Sequence, residues 1–242
     1  MYESLKCVAL RTVKYDDSRS ITTAWSRERG RVSFIIPAGS GREAQRRRAL
    51  MQPLCLFEGE SDIRPGRELL TIRDVRPLYV LSDMCCDPAK AVVALFISEV
   101  LERVLRESAP DGRLTDFIFD AVTRLDAMRR QVGVANFPVL FMYKLGFFLG
   151  IEPDAGEWAP GRVLDMAEGR YRVSAPLQGR WLDATDTCAA VMLHRMSFAA
   201  SERLGIPRAV HRRILDGIIE YYGLHHTPLD SLKSLPIVSG IF

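Results

Sequence analysis

The chain is poor in the signatures that mark most catalysts. Its 242 residues contain no Gly-x-x-x-x-Gly-Lys-Ser/Thr loop, and the glycine-bearing stretch Pro37-Ala38-Gly39-Ser40-Gly41 has no lysine to reach a phosphate. No serine lies in a Gly-x-Ser-x-Gly elbow, and the four histidines (His194, His211, His225, His226) all fall in the last quarter, so no nucleophile and base are paired by sequence. Asp16 and Asp17 are adjacent carboxylates in a polar turn, which favours turn formation over a two-carboxylate metal site. There is no Cys-x-x-Cys. The five cysteines (Cys7, Cys55, Cys85, Cys86, Cys188) are odd in number and irregularly spaced, as expected of small buried hydrophobes. The neighbours Cys85-Cys86 and His225-His226 are poorly placed to converge on one tetrahedral ion. These absences point away from an enzyme and predict neither metal nor cofactor.

Long apolar runs are also missing. Ala91–Ile97 is too short to cross a bilayer, and Val139–Ile151 is interrupted by Lys144 and Gly146, so no membrane association is expected. The opening residues Met1 to Lys6 show no charged region followed by an apolar one, which predicts a cytoplasmic protein. Hydrophobic residues make up 48% and charged residues 26%, the balance of a folded chain with a core. No repeat and no low-complexity stretch occurs.

Charge is unevenly spread. Through Arg76 there are 15 basic and 10 acidic residues, and beyond it 18 basic and 20 acidic. The positive excess therefore sits in the first third, as a polyanion-binding face requires. That third reads as strands at Leu5–Val13, Ser20–Trp25, Arg31–Ile36, Leu54–Glu60 and Leu69–Val75. Turns are expected at Tyr15–Ser18, at Arg27–Gly30 with Gly30 at positive φ, and at Ile63–Arg67 around Pro65-Gly66. Pro37–Arg48 reads as a loop or short helix. Five short strands in this length fit the small barrel of an OB-fold.

After Pro77 the apolar period lengthens. Asp87-Pro88 predicts an N-cap and first turn, followed by Val93, Phe96, Ile97, Val100, Leu101, Val104 and Leu105 at helical spacing. A second helix is expected with Thr115 as its cap and Ile118, Val122 and Leu125 as its buried stripe. A third should open at Asn136-Phe137-Pro138 and end at Gly150. A hairpin is expected over Val163–Met166 and Arg170–Ser174. Helices should then follow over Ala189–Leu204 and over Pro207–Tyr222, the latter closed by Gly223. The fold class is thus α+β: an OB-fold barrel over residues 1–78 and a mainly helical domain over residues 79–242.

The candidate polyanion contacts are Arg42, Arg46, Arg47 and Arg48 in the densest basic run, with Arg11, Lys14, Arg19, Arg29 and Arg31 on neighbouring strands and turns. Arginine suits phosphate because its planar fork stays ionised. Tyr15, Trp25 and Phe34 could offer faces to unpaired bases, and strand alternation requires at least one of them, Trp25 first, to face inward. A second candidate site is the aromatic stretch Phe137–Ile151, where Phe141, Lys144 and Phe148 could form an apolar groove with a cation at its edge. Arg129 and Arg130 are further candidate cations there. Charge alone does not separate DNA from RNA, so an OB-fold RNA-binding protein is an alternative. A Mg²⁺-dependent nuclease ranks lower, as does a regulator reading DNA with Arg208, Arg212 and Arg213, which fit the exposed side of an amphipathic helix.

The segment Cys7-Val8-Ala9-Leu10-Arg11-Thr12-Val13-Lys14-Tyr15-Asp16-Asp17-Ser18, continued at Gly30-Arg31-Val32, resembles the opening of the bacterial RecO family. The likeness extends through Leu50-Met51-Gln52-Pro53-Leu54 and Arg64-Pro65-Gly66-Arg67-Glu68-Leu69. It includes Leu145–Ile151 at a helix end and Lys233-Ser234 near the C-terminus. Where many members carry Lys-Gly-Ala-Arg, this chain has Pro37-Ala38-Gly39-Ser40 and places its arginines later. The cysteines through which some members hold zinc are absent. The resemblance implies a nucleoid-associated recombination mediator that binds single- and double-stranded DNA and anneals complementary strands. It further implies that the protein binds the acidic, Phe-ended tail of single-stranded-DNA-binding protein, acts with RecR, and helps RecA load.

Overall fold

A computed structural model describes residues 2–64 and 66–241. Five strands close a barrel in the order β1-β2-β3-β5-β4: β1 Tyr2–Lys14, β2 Arg19–Ser26, β3 Gly30–Pro37, β4 Leu56–Asp62 and β5 Leu69–Pro77. All neighbours are antiparallel except β3 and β5. Between β3 and β4 lies the helix α1, Arg42–Leu50. Alternation along the strands sends Leu5, Cys7, Ala9, Ala24, Val32, Phe34, Ile36, Phe57, Leu70 and Ile72 into the interior. The β2–β3 turn closes on Gly30 at φ 68°, as its sequence requires. Pro65 of the expected β4–β5 turn lies outside the described residues.

The chain divides into two compact units, Met1–Asp126 and Ala127–Phe242. The first therefore holds α2 (Pro88–Val104) and most of α3 (Gly112–Ala127) together with the barrel. Asp87 caps α2 by accepting from the Ala89 and Lys90 backbone N–H groups. Thr115 does not cap α3. Asp111 does, accepting from Arg113 N at 2.7 Å and Leu114 N at 3.2 Å, because its short carboxylate reaches back from just before the first turn. Thr115 instead accepts the Trp25 indole N–H at 3.0 Å. Trp25 is fully buried, but on the outer wall of the barrel, where α3 covers it. Arg27 pairs with Asp116 of α3, and Arg31 with Glu102 of α2 at 3.2 Å. The buried Asp126 carboxylate accepts from the Asp83 and Met84 N–H groups and so fixes the segment leading into α2.

The second unit is built around α4, Gln131–Leu149, which begins before Asn136 and carries Pro138 inside. Asn136 is not a cap: its amide donates to the Ser201 and Leu204 carbonyls at 2.9 and 2.8 Å. Gly150 ends α4 at φ 70°, as expected. This helix is long and apolar enough to span a bilayer, and 67% of its apolar window is buried inside the protein, as in a core helix. A three-stranded sheet, β7-β6-β8, comprises β6 Val163–Asp165, β7 Arg170–Arg172 and β8 Trp181–Leu182; the third strand is additional to the expected hairpin. The single helix expected over Ala189–Leu204 is two, α5 Ala184–His194 and α6 Phe198–Ser201, because Ser197 caps a new start. α7 runs Arg208–His225 straight through Gly223, and α8 covers Leu235–Ile241. Tyr222 donates to the Met142 carbonyl at 2.6 Å, and Phe137 stacks on Phe198 at 4.8 Å, joining α4 to its neighbours.

Candidate nucleic-acid interface

The barrel has two ends, and the expected cations divide between them. At one end lie the β1–β2 turn, the loop after β3 and α1. Ala38 N donates to the Ser18 carbonyl at 2.6 Å, and Thr12 Oγ1 to the Met51 carbonyl at 2.8 Å, so these pieces form one surface. Lys14, Arg19, Arg42, Arg46, Arg47 and Arg48 all belong to it. Arg29 and Arg31 belong to the other end, seven strand steps away along β2, or roughly 23 Å. There, with Arg67, they line a depression of about 330 Å³.

The cations also differ in what they hold. Lys14 pairs with Asp17 and Arg19 with Asp16, both at 2.6 Å. Asp16 also accepts from the Ser18 N–H and hydroxyl, which makes the turn itself. Its carboxyl is held at about 2, first by the Arg19 hydrogen bond and then by Ser18. Arg29 pairs with Glu3 at 2.6 Å. Arg47 pairs with Glu43 one helical turn back at 3.0 Å, and Arg48 donates to the Gly39 carbonyl at 2.7 Å. Among the described residues, Arg11, Arg42, Arg46 and Arg48 have no acidic partner. Arg42 and Arg46 stand four residues apart on one face of α1, where like charges repel. These four carry positive charge that no acidic group among the described residues neutralises.

Of the three aromatic residues expected to meet bases, Trp25 and Phe34 are both fully buried, Phe34 inside the barrel. Tyr15 is 56% exposed and lies under the Arg19 guanidinium, 5.2 Å from ring centre. Tyr2, which the sequence did not single out, is also exposed, with Arg73 stacked at 3.5 Å. Cys7 and Cys55 are buried as expected, whereas Cys85 and Cys86 are exposed, since they occupy the turn before α2 rather than a strand. All five are free thiols.

In the second unit, Phe141 has no exposed surface and stacks on Phe137 at 6.0 Å. Lys144 is half-buried, and its ammonium is pulled below the ordinary lysine value by desolvation, with Glu152 opposing the shift. Phe148 is partly exposed and meets Phe147 edge-on at 5.4 Å. The most exposed aromatic of α4 is Phe147, at 55%. Residue pattern alone shows little sign of this, because α4 is apolar all round and a helical wheel has no polar side from which to count.

A closed five-stranded barrel of this order, with a helix between its third and fourth strands, is an OB-fold, here joined to a mainly helical C-terminal region. Residues 1–80 match the family described as "Recombination protein O N terminal", and residues 86–236 match "Recombination protein O C terminal". The chain belongs to the RecO family. It is similar to the DNA repair protein RecO of Porphyromonas gingivalis, with 31% identity over 242 residues and 98% of each chain covered. It is also similar to the DNA repair protein RecO of Phocaeicola vulgatus, with 30% identity over 235 residues and 97% of each covered.

Proposed function

We propose that this protein is a non-catalytic DNA-repair factor, a recombination mediator working in the cytoplasm at the nucleoid. It binds single- and double-stranded DNA through the barrel and anneals complementary strands. With RecR it helps RecA load onto strands covered by single-stranded-DNA-binding protein. The observation that carries this reading is the set of unneutralised arginines Arg42, Arg46 and Arg48 beside Lys14, Arg19 and Arg47 at one end of an OB-fold barrel, with Arg11 farther along β1. Such a surface gains free energy from a phosphate chain by releasing condensed counterions, whatever the base sequence. Holding two strands on one basic surface lowers their mutual repulsion, so annealing needs no chemical step.

The acidic, Phe-ended tail of single-stranded-DNA-binding protein is assigned to the C-terminal half of α4. There the partly buried Lys144 offers a cation beside Phe148, while Phe141 supports the site from within the core. A fluorescent tail peptide should bind, and Lys144→Glu should weaken it by about tenfold, on the order of one charge-assisted contact. The decisive assay for the whole reading is annealing of two complementary oligonucleotides, bare and coated. Acceleration in both states is expected. A protein that binds neither oligonucleotide and leaves the annealing rate unchanged overturns it.

A further inference from the structure

Lys144, the cation offered to an acidic peptide, already has a carboxylate near it, and the backbone puts it there. Gly150 turns the chain at the end of α4, and Ile151 N donates to the Gly146 carbonyl at 3.0 Å. The chain therefore folds back along the helix it has just left. Gly146 has no side chain to block this return: a Cβ there would stand 3.7 Å from Ile151 Cγ1 and 4.0 Å from Glu152 N. Glu152 thus lies against the end of α4, where its charge acts on the Lys144 ammonium. Its Oε1 is also 2.8 Å from Nε2 of His194, the last residue of α5. The Glu152 side chain keeps 30% of its surface exposed, so it can move and a ligand can reach it.

The charged and titratable groups facing His194 come from three places. Glu152 comes from the returning chain, and Lys144 and Tyr143 from α4, with the Tyr143 ring stacked on the imidazole at 5.4 Å. Arg195 follows His194 in sequence and lies over the Trp158 ring at 5.0 Å. Burial holds the imidazole below the ordinary histidine value; Glu152 opposes this, and Lys144 and Arg195 add to it. At neutral pH the imidazole is mostly uncharged, so Lys144 and Glu152 cancel each other. We infer that Glu152 is a built-in competitor for the carboxylates of the acidic peptide, and that a proton on His194 draws it away from Lys144. The inference rests on the reading that this end of α4 receives that peptide, and adds what regulates it. With His194 neutral, an incoming carboxylate meets a cation already countered. With His194 protonated, Glu152 pairs with the imidazolium, and the three side chains together carry one net positive charge. Proton and peptide therefore favour each other's binding, by linkage through the same factor.

The test uses the full chain and two labelled peptides, one rich in Asp and ending in Phe, the other with Asn in place of each Asp. Anisotropy at pH 8 and at pH 5.8 gives the affinities, and thermal melts confirm folding. Wild type should bind the acidic peptide about fivefold more tightly at the lower pH, the low end of a two-ligand coupling. Glu152→Gln should tighten it about tenfold at pH 8, the scale of one charged contact, and leave the Asn peptide unaffected. His194→Gln should abolish the pH response. In wild type, saturating acidic peptide should move the NMR titration midpoint of the His194 ring upward, a readout that needs no variant and that a merely structural pair would not give. Unchanged or weaker binding by folded Glu152→Gln overturns the competitor. A pH response that persists in His194→Gln, or a His194 midpoint the peptide does not move, overturns the role of the proton. Wild type that binds neither peptide at either pH overturns the underlying peptide reading instead.

Discussion

Removing Arg11, Arg42 and Arg46 together, each to alanine, separates cations whose side chains have neither an acidic partner nor a hydrogen bond among the described residues from cations that are already paired. Each single-strand phosphate contact contributes about 0.7 to the log–log dependence of affinity on salt, which at 0.1 M salt is about fivefold in affinity. Three contacts therefore amount to a loss on the order of 100-fold, with the slope flattened by about 2. The control is Lys14→Ala with Arg29→Ala, whose charges already face Asp17 and Glu3. A phosphate that approaches these cations also meets the carboxylate beside them, so the control should lose much less per side chain. None of the three tested arginine side chains has a hydrogen bond or ion pair among the described residues, so the melting temperature should hold. Anisotropy titrations of one oligonucleotide at four salt concentrations measure affinity and slope together. Equal losses per residue in the two variants would refute the argument that local neutralisation decides which arginines bind, and a flat salt response in the wild type would refute phosphate contact itself.

Thr115→Val removes the acceptor of the fully buried Trp25 indole, which should cost about 1–3 kcal/mol in urea unfolding followed by tryptophan fluorescence; an unmoved midpoint would show that the bond contributes nothing. Asp126→Ala leaves the Asp83 and Met84 N–H groups without their acceptor, so these two amides should exchange with solvent faster than in the wild type, and unchanged protection would contradict the assignment. The Asp16 carboxyl, held at about 2 against an ordinary 3.8, favours the folded turn above its ordinary value and loses that contribution as pH falls through the folded one, so the β1–β2 turn should loosen between pH 3.8 and about 2. An NMR titration should place its midpoint near 2 and move it upward in Arg19→Ala; the same midpoint in both proteins would assign the depression elsewhere. Gly169→Ala puts a side chain at φ 66° with a Cβ 2.8 Å from the Tyr221 hydroxyl, and should destabilise the β6–β7 hairpin by at least about 1 kcal/mol; a variant as stable as wild type would mean the tyrosine moves freely aside.

Alternation of apolar residues was sufficient to read the five barrel strands, because the period of two is a local property of the backbone. The ends of α2 and α4 were equally local: Asp87 and Gly150 act within one turn of their own position. The basic run at Arg42–Arg48 was visible for the same reason. Caps that depend on partners distant in sequence were not. Thr115 and Asn136 have the composition of caps, yet each is occupied by a group far along the chain, Trp25 and the Ser201 and Leu204 carbonyls. The sequence placed nine cations on a barrel and a turn but could not say which were already neutralised, since ion pairs such as Arg29 with Glu3 and Arg31 with Glu102 join residues 26 and 71 positions apart. It could not choose among Tyr15, Trp25 and Phe34 either, because alternation gives two faces and only the helix lying on one of them buried Trp25. The sequence thus determined the elements and the sum of charge; the tertiary structure decided which charges and which aromatic faces remain free, because freedom is a property of neighbours and neighbours are set by closure of the barrel.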